Sequence, residues 1–486
     1  MGIVVRQSIQ NTLTTYLGFA IGALNTLFLY TNFLTDEYYG LVGFLLSAAA
    51  IMTPLMAFGV HNTLVKFYSS YEDVFHRDNF LSFMLYLPLL IIIPVGIVGV
   101  FAYESIAAFL AKENEIIQNF VSSIFLIAVA MAYFEVFYAW AKVHMQSVFG
   151  NFMKEVFHRI IIMILLFAVY FEYLDADAFV WSLVWVYFFR MLVMKIYAYR
   201  LKFPKLIFQF PKNKKQIFIY SSIMIIAGSI ALLLLDIDKV MIGKYIPIEN
   251  VAYYNVGIFI AMVIIVPSRA MHQITYPITA QLLNSKNWEE LEKLYKKSSL
   301  TLFIISGWVF LMIVLNINQL YLLIPEEYSA GLFVVLLISV SKLFDNLLGI
   351  NNAILYSSEY YKWTVVLGIF LAVLTVSLNV LLIPNYGIDG AAVATFISLF
   401  LYSLAKIFLV KSKFKMHPFS RETFKVFVLI GLTYSFFYGW DFQFHALINI
   451  ALKSFIFSLG YFIFIYKGNI SEDLNALFHS TLKRFY

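Results

Sequence analysis

The sequence predicts an all-α membrane protein that crosses the bilayer fourteen times. Three observations carry this. First, 62% of its 486 residues are apolar or aromatic, 13% are charged, and mean hydropathy is +0.83. Soluble domains hold about 45–50% apolar and about 25% charged residues; so few charges cannot coat so much apolar volume. Second, the apolar runs are about 20 residues or longer, the length a helix needs to cross a core of about 30 Å. A membrane barrel would alternate over segments of about ten residues. Third, 25 of the 34 Lys and Arg fall in every second loop, whereas only Lys112 and Lys244 fall in the others. That asymmetry puts both termini in the cytoplasm.

The first span covers 9–34; only Arg6 precedes it and no cleavage-site pattern interrupts it, so it reads as a span and not as a secretory signal. Spans at 40–66, 80–103, 117–141, 155–174 and 178–200 follow, bounded mostly by charge clusters. A second set lies at 217–243, 250–276, 299–321, 330–356, 361–383 and 388–410, its last two separated by the turn pairs Pro384-Asn385 and Tyr386-Gly387. A final hairpin, 424–440 and 444–466, turns between Gly439 and Gln443. Two segments read as amphipathic helices on the membrane surface. One is Ser285 to Ser299, with a stripe of Trp288, Leu291, Leu294 and Tyr295 and the pairs Glu289/Lys293 and Glu292/Lys296. The other is the tail, with Leu474, Leu477, Phe478 and Leu482.

The two halves echo each other. Tyr38-Tyr39-Gly40 matches Tyr253-Tyr254-Asn255, Leu174, Ala176 and Ala178 match Ile388, Gly390 and Ala392, and Glu135 and Ser147 match Asp345 and Ser357. The offsets are nearly equal, and each pairs span n with span n+6. This predicts two parallel six-helix lobes, 1–200 and 217–411, joined by a basic cytoplasmic linker at 201–216. Spans 13 and 14 (412–466) are extra, and 467–486 is a cytoplasmic amphipathic tail. Parallel repeats around a midplane site describe an alternating-access transporter.

Several classes are excluded. The chain has no Cys, so disulfides, thiol catalysis and Cys-bound metals are out. The net charge of +6 sits in membrane-flanking loops, which suits membrane lipids and not nucleic acid. No metalloprotease, serine-hydrolase or phosphate-loop motif occurs. Asp175-Ala176-Asp177 and Asp236-Ile237-Asp238 resemble the Asp-x-Asp of sugar transferases, but the first lies in an outer turn and the second inside a span. A membrane polymerase or ligase would tend to need a long outer loop, and the longest here is about 13 residues. The chain reads as no enzyme and calls for no cofactor or metal.

Asp238-Lys239-Val240-Met241-Ile242-Gly243-Lys244-Tyr245, followed by Tyr253-Tyr254-Asn255-Val256, resembles the span 7–8 signature of polysaccharide-biosynthesis flippases. These belong to the multidrug/oligosaccharidyl-lipid/polysaccharide exporter superfamily. Tyr386 to Thr395 resembles the family's span 11–12 turn, and Glu37-Tyr38-Tyr39-Gly40-Leu41 its first turn. The resemblance implies a V of two lobes around a central cavity. It also implies flipping of polyprenyl-pyrophosphate-linked oligosaccharide across a bacterial inner membrane, for O-antigen, capsule or exopolysaccharide export. Other polysaccharide-assembly membrane proteins are the implied partners. The alternative is a cation- or proton-coupled drug antiporter of the same superfamily.

Polar residues inside spans are costly and so mark either cavities or helix contacts. Span 10 carries Ser339, Lys342, Asp345, Asn346, Gly349 and Asn352 on one face, and Lys342 and Asp345 are one turn apart, spaced to pair. Span 7 aligns Ser222, Ser229, Asp236 and Lys239; span 1 aligns Ser8, Asn11, Thr15, Gly18, Gly22 and Asn25; span 2 spaces Ser47, Pro54 and His61 by seven. In-span cations outnumber acids, which suits a pyrophosphate that Arg grips bidentately. Arg159, Arg269 and Lys406 lie near cytoplasmic ends, where snorkelling would suffice as the alternative to a functional role, while Arg190 and Lys342 are deeper. Arg269, with His272, Gln273 and Tyr276 on its side of span 8, stands where a cytoplasmic head group would enter. The substrate-binding candidates are Arg269, Arg190, Lys342, Asn346, Lys239, Asn25 and His61. The ion-coupling candidates, for a proton or sodium ion, are Asp345, Glu135, Asp236 and Asp238.

Overall fold

A computed structural model describes residues 3–205, 207 and 209–475. Its regular elements are helices throughout, and eleven among the described residues are long and apolar enough to cross a bilayer. In chain order the helices used below are α1 (Gln10–Phe33), α2 (Asp36–Met56), α3 (Val60–Phe67), α4 (Val74–Phe101) and α5 (Glu115–Val143). There follow α6 (His158–Tyr170), α7 (Ala176–Leu201), α8 (Lys214–Tyr245), α9 (Glu249–Met262) and α10 (Val266–Asn284). The rest are α11 (Trp288–Val314), α12 (Leu332–Leu347), α13 (Asn351–Ser357), α14 (Tyr361–Phe414), α15 (Arg421–Phe437) and α16 (Ala446–Lys467).

Helix starts fall where a short polar side chain can take an orphan N–H. Thr35 caps α2 by accepting from Tyr38 N, Asp73 caps α4 through His76 N, and Asp175 caps α7 through Ala178 N. Ser420 and Thr423 cap α15 reciprocally.

The chain forms two compact units. The first is Met1–Asn255 with Asn379–Gly387, and the second is Val256–Leu378 with Ile388–Tyr486. In the first, α2 packs along α8 and α5 along α7. Its interior includes Phe80, Phe134 and Trp140, with Met153 and Met194. In the second, α11 packs with α12 and α15 around Phe303, Ile304, Phe457 and Tyr461. A neighbouring cluster of the same unit joins Leu291, Tyr295, Ile354 and Val410.

Two expectations change. The segment 285–299 is no separate surface helix: from Trp288 onward it is the start of α11, and Leu291 and Tyr295 are fully buried. Its charge pairs are Glu292–Lys296 at 2.7 Å and Glu290–Lys293 at 3.8 Å, so Lys293 takes Glu290 in place of Glu289. The expected break at 384–387 is present: the long run α14 is two helices that meet at Gly387, whose backbone is not helical. There φ is 59° and ψ is −138°, a conformation a side chain strongly disfavours. Of the tail stripe, Leu474 is buried against the second unit's core; Leu477, Phe478 and Leu482 lie outside the described residues.

Candidate functional site

Within the first unit, α1, α5, α6 and α7 gather a charged group. Glu135 on α5 accepts from Lys154 at 2.6 Å, and Lys142 and His61 stand within electrostatic reach of it. Arg159 on α6 pairs with Glu155 at 3.6 Å and fills the space that Gly18 and Gly22 leave open on α1. Arg190 on α7 is buried, its guanidinium 4.3 Å from the Phe134 ring centre and 4.7 Å from that of Tyr187. Among the described residues Arg190 makes no ion pair, and its Nε has no hydrogen-bond partner. His158 stands within reach of both arginines. Aromatic faces can hold a guanidinium where no carboxylate is spent on it. Four cations, Lys142, Lys154, Arg159 and Arg190, gather here with the carboxylates Glu135 and Glu155, an excess of positive charge fit for an anion.

The other candidates of this unit have defined partners. Asn25 is buried and donates to the Arg159 carbonyl at 2.8 Å. Together with the Asn11–Ser147 bond at 3.0 Å, this makes the span 1 stripe a helix contact. His61 meets Asn62 at 3.1 Å. Asp236 accepts from Lys239 at 3.0 Å and from Ser47 at 3.0 Å. Asp238 accepts from Tyr254 at 2.5 Å and from Asn379 at 2.7 Å. Tyr253 donates to Asp36 at 2.6 Å, and Asn255 to the Tyr39 hydroxyl at 3.2 Å. The residues that carry the family resemblance thus pin the start of α9 to α2. Of the Asp-x-Asp pairs, Asp175 is a helix cap and Asp177 accepts from Tyr38 at 2.6 Å.

Within the second unit, the interior break between α12 and α13 centres on Gly349, whose φ is +54°. His272 donates to the Gly349 carbonyl at 3.3 Å, and its ring lies 5.0 Å from that of Tyr276. The ion pair given to Asp345 is with Lys406, at 3.5 Å, where Lys342 had been the expected partner. Lys406 also donates to Asn352 at 3.2 Å and lies 4.5 Å over the Tyr402 ring. It is buried, so it does not snorkel: the stem turns inward because Asp345 and Asn352 offer acceptors there. Asn346 is buried too, and donates to Ser306 at 2.6 Å and to the Ile264 carbonyl at 2.7 Å. Lys342 is half-buried and Arg269 is exposed. Gln273's side chain is outside the described set. No group of three or more His, Asp or Glu among the described residues could hold a metal ion.

A family model described as polysaccharide biosynthesis protein matches residues 4–283. The chain belongs to the polysaccharide biosynthesis protein family. A second model, MatE, matches residues 224–381. Among solved structures, the lipid II flippase MurJ in an inward closed conformation superposes with a TM-score of 0.73 at 15% identity, covering 96% of this chain and all (100%) of that one. An inward-facing multidrug resistance MATE family transporter gives 0.64 at 13%, over 85% of this chain and 98% of that one. A transporter of the MOP superfamily from Pyrococcus furiosus gives 0.58 at 13%, over 84% and 95%. A search of curated protein sequences finds no match. This polysaccharide biosynthesis family protein therefore has the fold that these structures share and is a multi-pass membrane protein.

Sequence reasoning missed the cradle of Phe134 and Tyr187 around Arg190, and Lys154 as the partner of Glu135. The i,i+3 spacing of Tyr187 and Arg190 on one helix face was the available signal. Lys154 falls just before the span read at 155–174, and the helical turn it occupies, Met153–Phe157, has the wider π geometry that periodicity does not foresee.

Proposed function

We propose that this family member is a flippase that carries polyprenyl-pyrophosphate-linked oligosaccharide from the cytoplasmic to the outer leaflet of a bacterial inner membrane by alternating access. The observation that carries the reading is Arg190: a buried cation without an ion pair among the described residues, held by two aromatic faces in a group with excess positive charge. The likeness to a lipid II flippase over 96% of the chain supports it. Fourteen spans with cytoplasmic termini fit the same reading. The eleven long apolar helices become twelve where α14 kinks at Gly387, and α6 and α15 supply two more. The 25 basic residues in alternate loops set the orientation.

In this scheme the pyrophosphate contacts offered by the first unit are Arg190 with Lys239, Asn25 and His61, and those offered by the second unit are Arg269 and Lys342 with Asn346. Glu135 or Asp345 resets the carrier through a proton or sodium ion, with Asp236 and Asp238 as further candidates. The head group's charge assists export: two negative charges leaving an inside-negative cell through 100 mV gain about 4–5 kcal/mol.

The test is flipping in proteoliposomes of defined lipid-linked oligosaccharides, beside uptake of a panel of cationic drugs. Flipping without drug transport supports the reading. Drug uptake without flipping supports the antiporter instead, which the MatE match at 224–381 keeps in view. Arg269 is examined in the same assay. Loss of flipping in Arg269→Ala, only partly restored in Arg269→Lys, marks bidentate capture; near-normal flipping in Arg269→Ala removes it from the site.

A further inference from the structure

The stretch between α7 and α8 does more than join two helices. It folds back on α4 and is fastened there. Asp78, almost completely buried, pairs with Lys202 at 2.9 Å and Lys205 at 3.2 Å. Ser82 donates to the Lys205 carbonyl and accepts from Ile207 N at 3.3 Å, and Tyr71 donates to Asn213. Between the stretch and the helix lies a groove of about 320 Å³. One wall is the i, i+3, i+4, i+7 face of α4: Phe83, Tyr86, Leu87 and Leu90. The facing wall is Ile207, Gln209, Phe210 and, from α8, Phe218. Phe83 holds the walls together, with ring contacts of 5.7 Å to Phe210 and 5.8 Å to Phe218. The lining is hydrocarbon apart from the Tyr86 hydroxyl and the Gln209 amide.

The rim is basic. No Asp or Glu occurs between Asp177 and Asp236. Lys202 and Lys205 are engaged by Asp78, but Lys212, Lys214 and Lys215 make no ion pair among the described residues. Lys214 lies 4.9 Å over the Phe210 ring, so a cation stands directly beside the apolar wall. The acids nearest in sequence to the Tyr71–Asn213 contact are Glu72 and Asp73, and Asp73 is already bound to His76 at 2.8 Å. Phe203 and Phe210 are exposed, as aromatic residues are where a segment beds into a membrane interface.

We infer that this groove binds one phospholipid with an anionic head group, its acyl chain along Phe83, Leu87, Leu90 and Phe218 and its phosphate at Lys212, Lys214 and Lys215. An apolar slot continued by three cations matches hydrocarbon continued by a phosphate, and juxtamembrane lysines attract anionic lipid in this way. The inference is independent of what the protein transports.

The test uses the full-length protein in detergent, with lipid retention followed by native mass spectrometry. Phosphatidylglycerol and phosphatidylcholine with the same chains are the probes. The protein should retain one phosphatidylglycerol at least about tenfold more tightly than phosphatidylcholine. Lys212→Gln/Lys214→Gln/Lys215→Gln should bring the two lipids level. Leu90→Trp, at a half-open position of the wall, should weaken both. Equal retention of the two lipids by the unaltered protein overturns the inference, as does an undiminished preference in the triple variant. Glycerol phosphate competing as well as phosphatidylglycerol would reduce the site to surface charge. A polyprenyl phosphate that displaces phosphatidylglycerol at lower concentration would make the occupant a substrate chain and overturn it too.

Discussion

In the first unit Asp78 and Glu135 are the shielded members of their ion pairs, with side chains 1% and 19% exposed, while Lys202 and Lys154 are 31% and 43% exposed. The second unit reverses this. Lys406 and Lys453 are 2% and 1% exposed, and their partners Asp345 and Asp441 are 47% and 45% exposed. The chemistry of the two side chains explains the difference. A carboxylate on a short stem cannot leave the helix it grows from, so flexible lysines must come to it. A lysine can lay its four-carbon stem along apolar neighbours and carry its charge to a fixed acceptor. The lesson is that these four pairs have a direction, which the evenly shielded Lys239–Asp236 and Arg159–Glu155 lack: the shielded member depends on the open one far more than the reverse, because stranding a buried charge costs more than hydrating an open one.

The largest expected effect is in the second unit. Asp345→Leu strands the Lys406 ammonium and should cost about 3–5 kcal/mol of stability, less whatever Asn352 recovers. Lys406→Met should cost clearly less, and the double variant should recover much of the loss of Asp345→Leu alone. Thermal unfolding of the three proteins in one detergent is the measurement. A Lys406→Met protein as unstable as Asp345→Leu would break the comparison.

The first unit should show the opposite order. Lys154→Met leaves Glu135 shielded without its ion-pair partner and should cost about 2–3 kcal/mol, moderated by Lys142 nearby. Glu135→Gln leaves an open lysine and should be the milder change. Equal losses in the two variants would mean that shielding does not set the direction.

The smallest effect lies outside the spans. Asp73 accepts from the backbone and then the side chain of His76, and these bonds hold its carboxyl below the usual carboxylate range. A depressed folded pKa means stabilisation that is complete above the unfolded value and lost as pH falls through the folded one. Asp73→Asn should therefore lower stability slightly at neutral pH and leave it unchanged in acid well below both values. A variant whose deficit persists in acid would show that Asp73 acts by packing and not by charge.

Much of the fold was legible because a membrane leaves few choices. Runs of about 20 apolar residues must be helices whose backbone groups are satisfied internally, and loop lysines mark their ends. The lateral contacts were not legible. Asp345 has Lys342 one turn away in sequence, yet the ion pair given to it reaches Lys406, 61 residues on. The surface-helix reading of 285–299 failed because amphipathicity alone cannot tell a helix on the membrane from the wet first turns of a helix that enters it. The groove along α4 joins residues more than 120 apart, Ser82 and Lys205 among them, and no local pattern announces it. Candidate residues were found where charge in a span is costly; their cradles, such as Phe134 and Tyr187, look like ordinary core in a chain that is 19% aromatic.

The most direct measurement concerns the ligand charge that Arg190 is held to receive. Binding of a polyprenyl pyrophosphate and of the uncharged polyprenol with the same chain is compared on the unaltered protein and on Arg190→Gln, each shown to be folded by its unfolding temperature. The account predicts that the unaltered protein prefers the pyrophosphate by at least about tenfold, and that Arg190→Gln loses most of that preference while holding the polyprenol equally well. Equal binding of the two lipids, or a preference that Arg190→Gln retains in full, would contradict it.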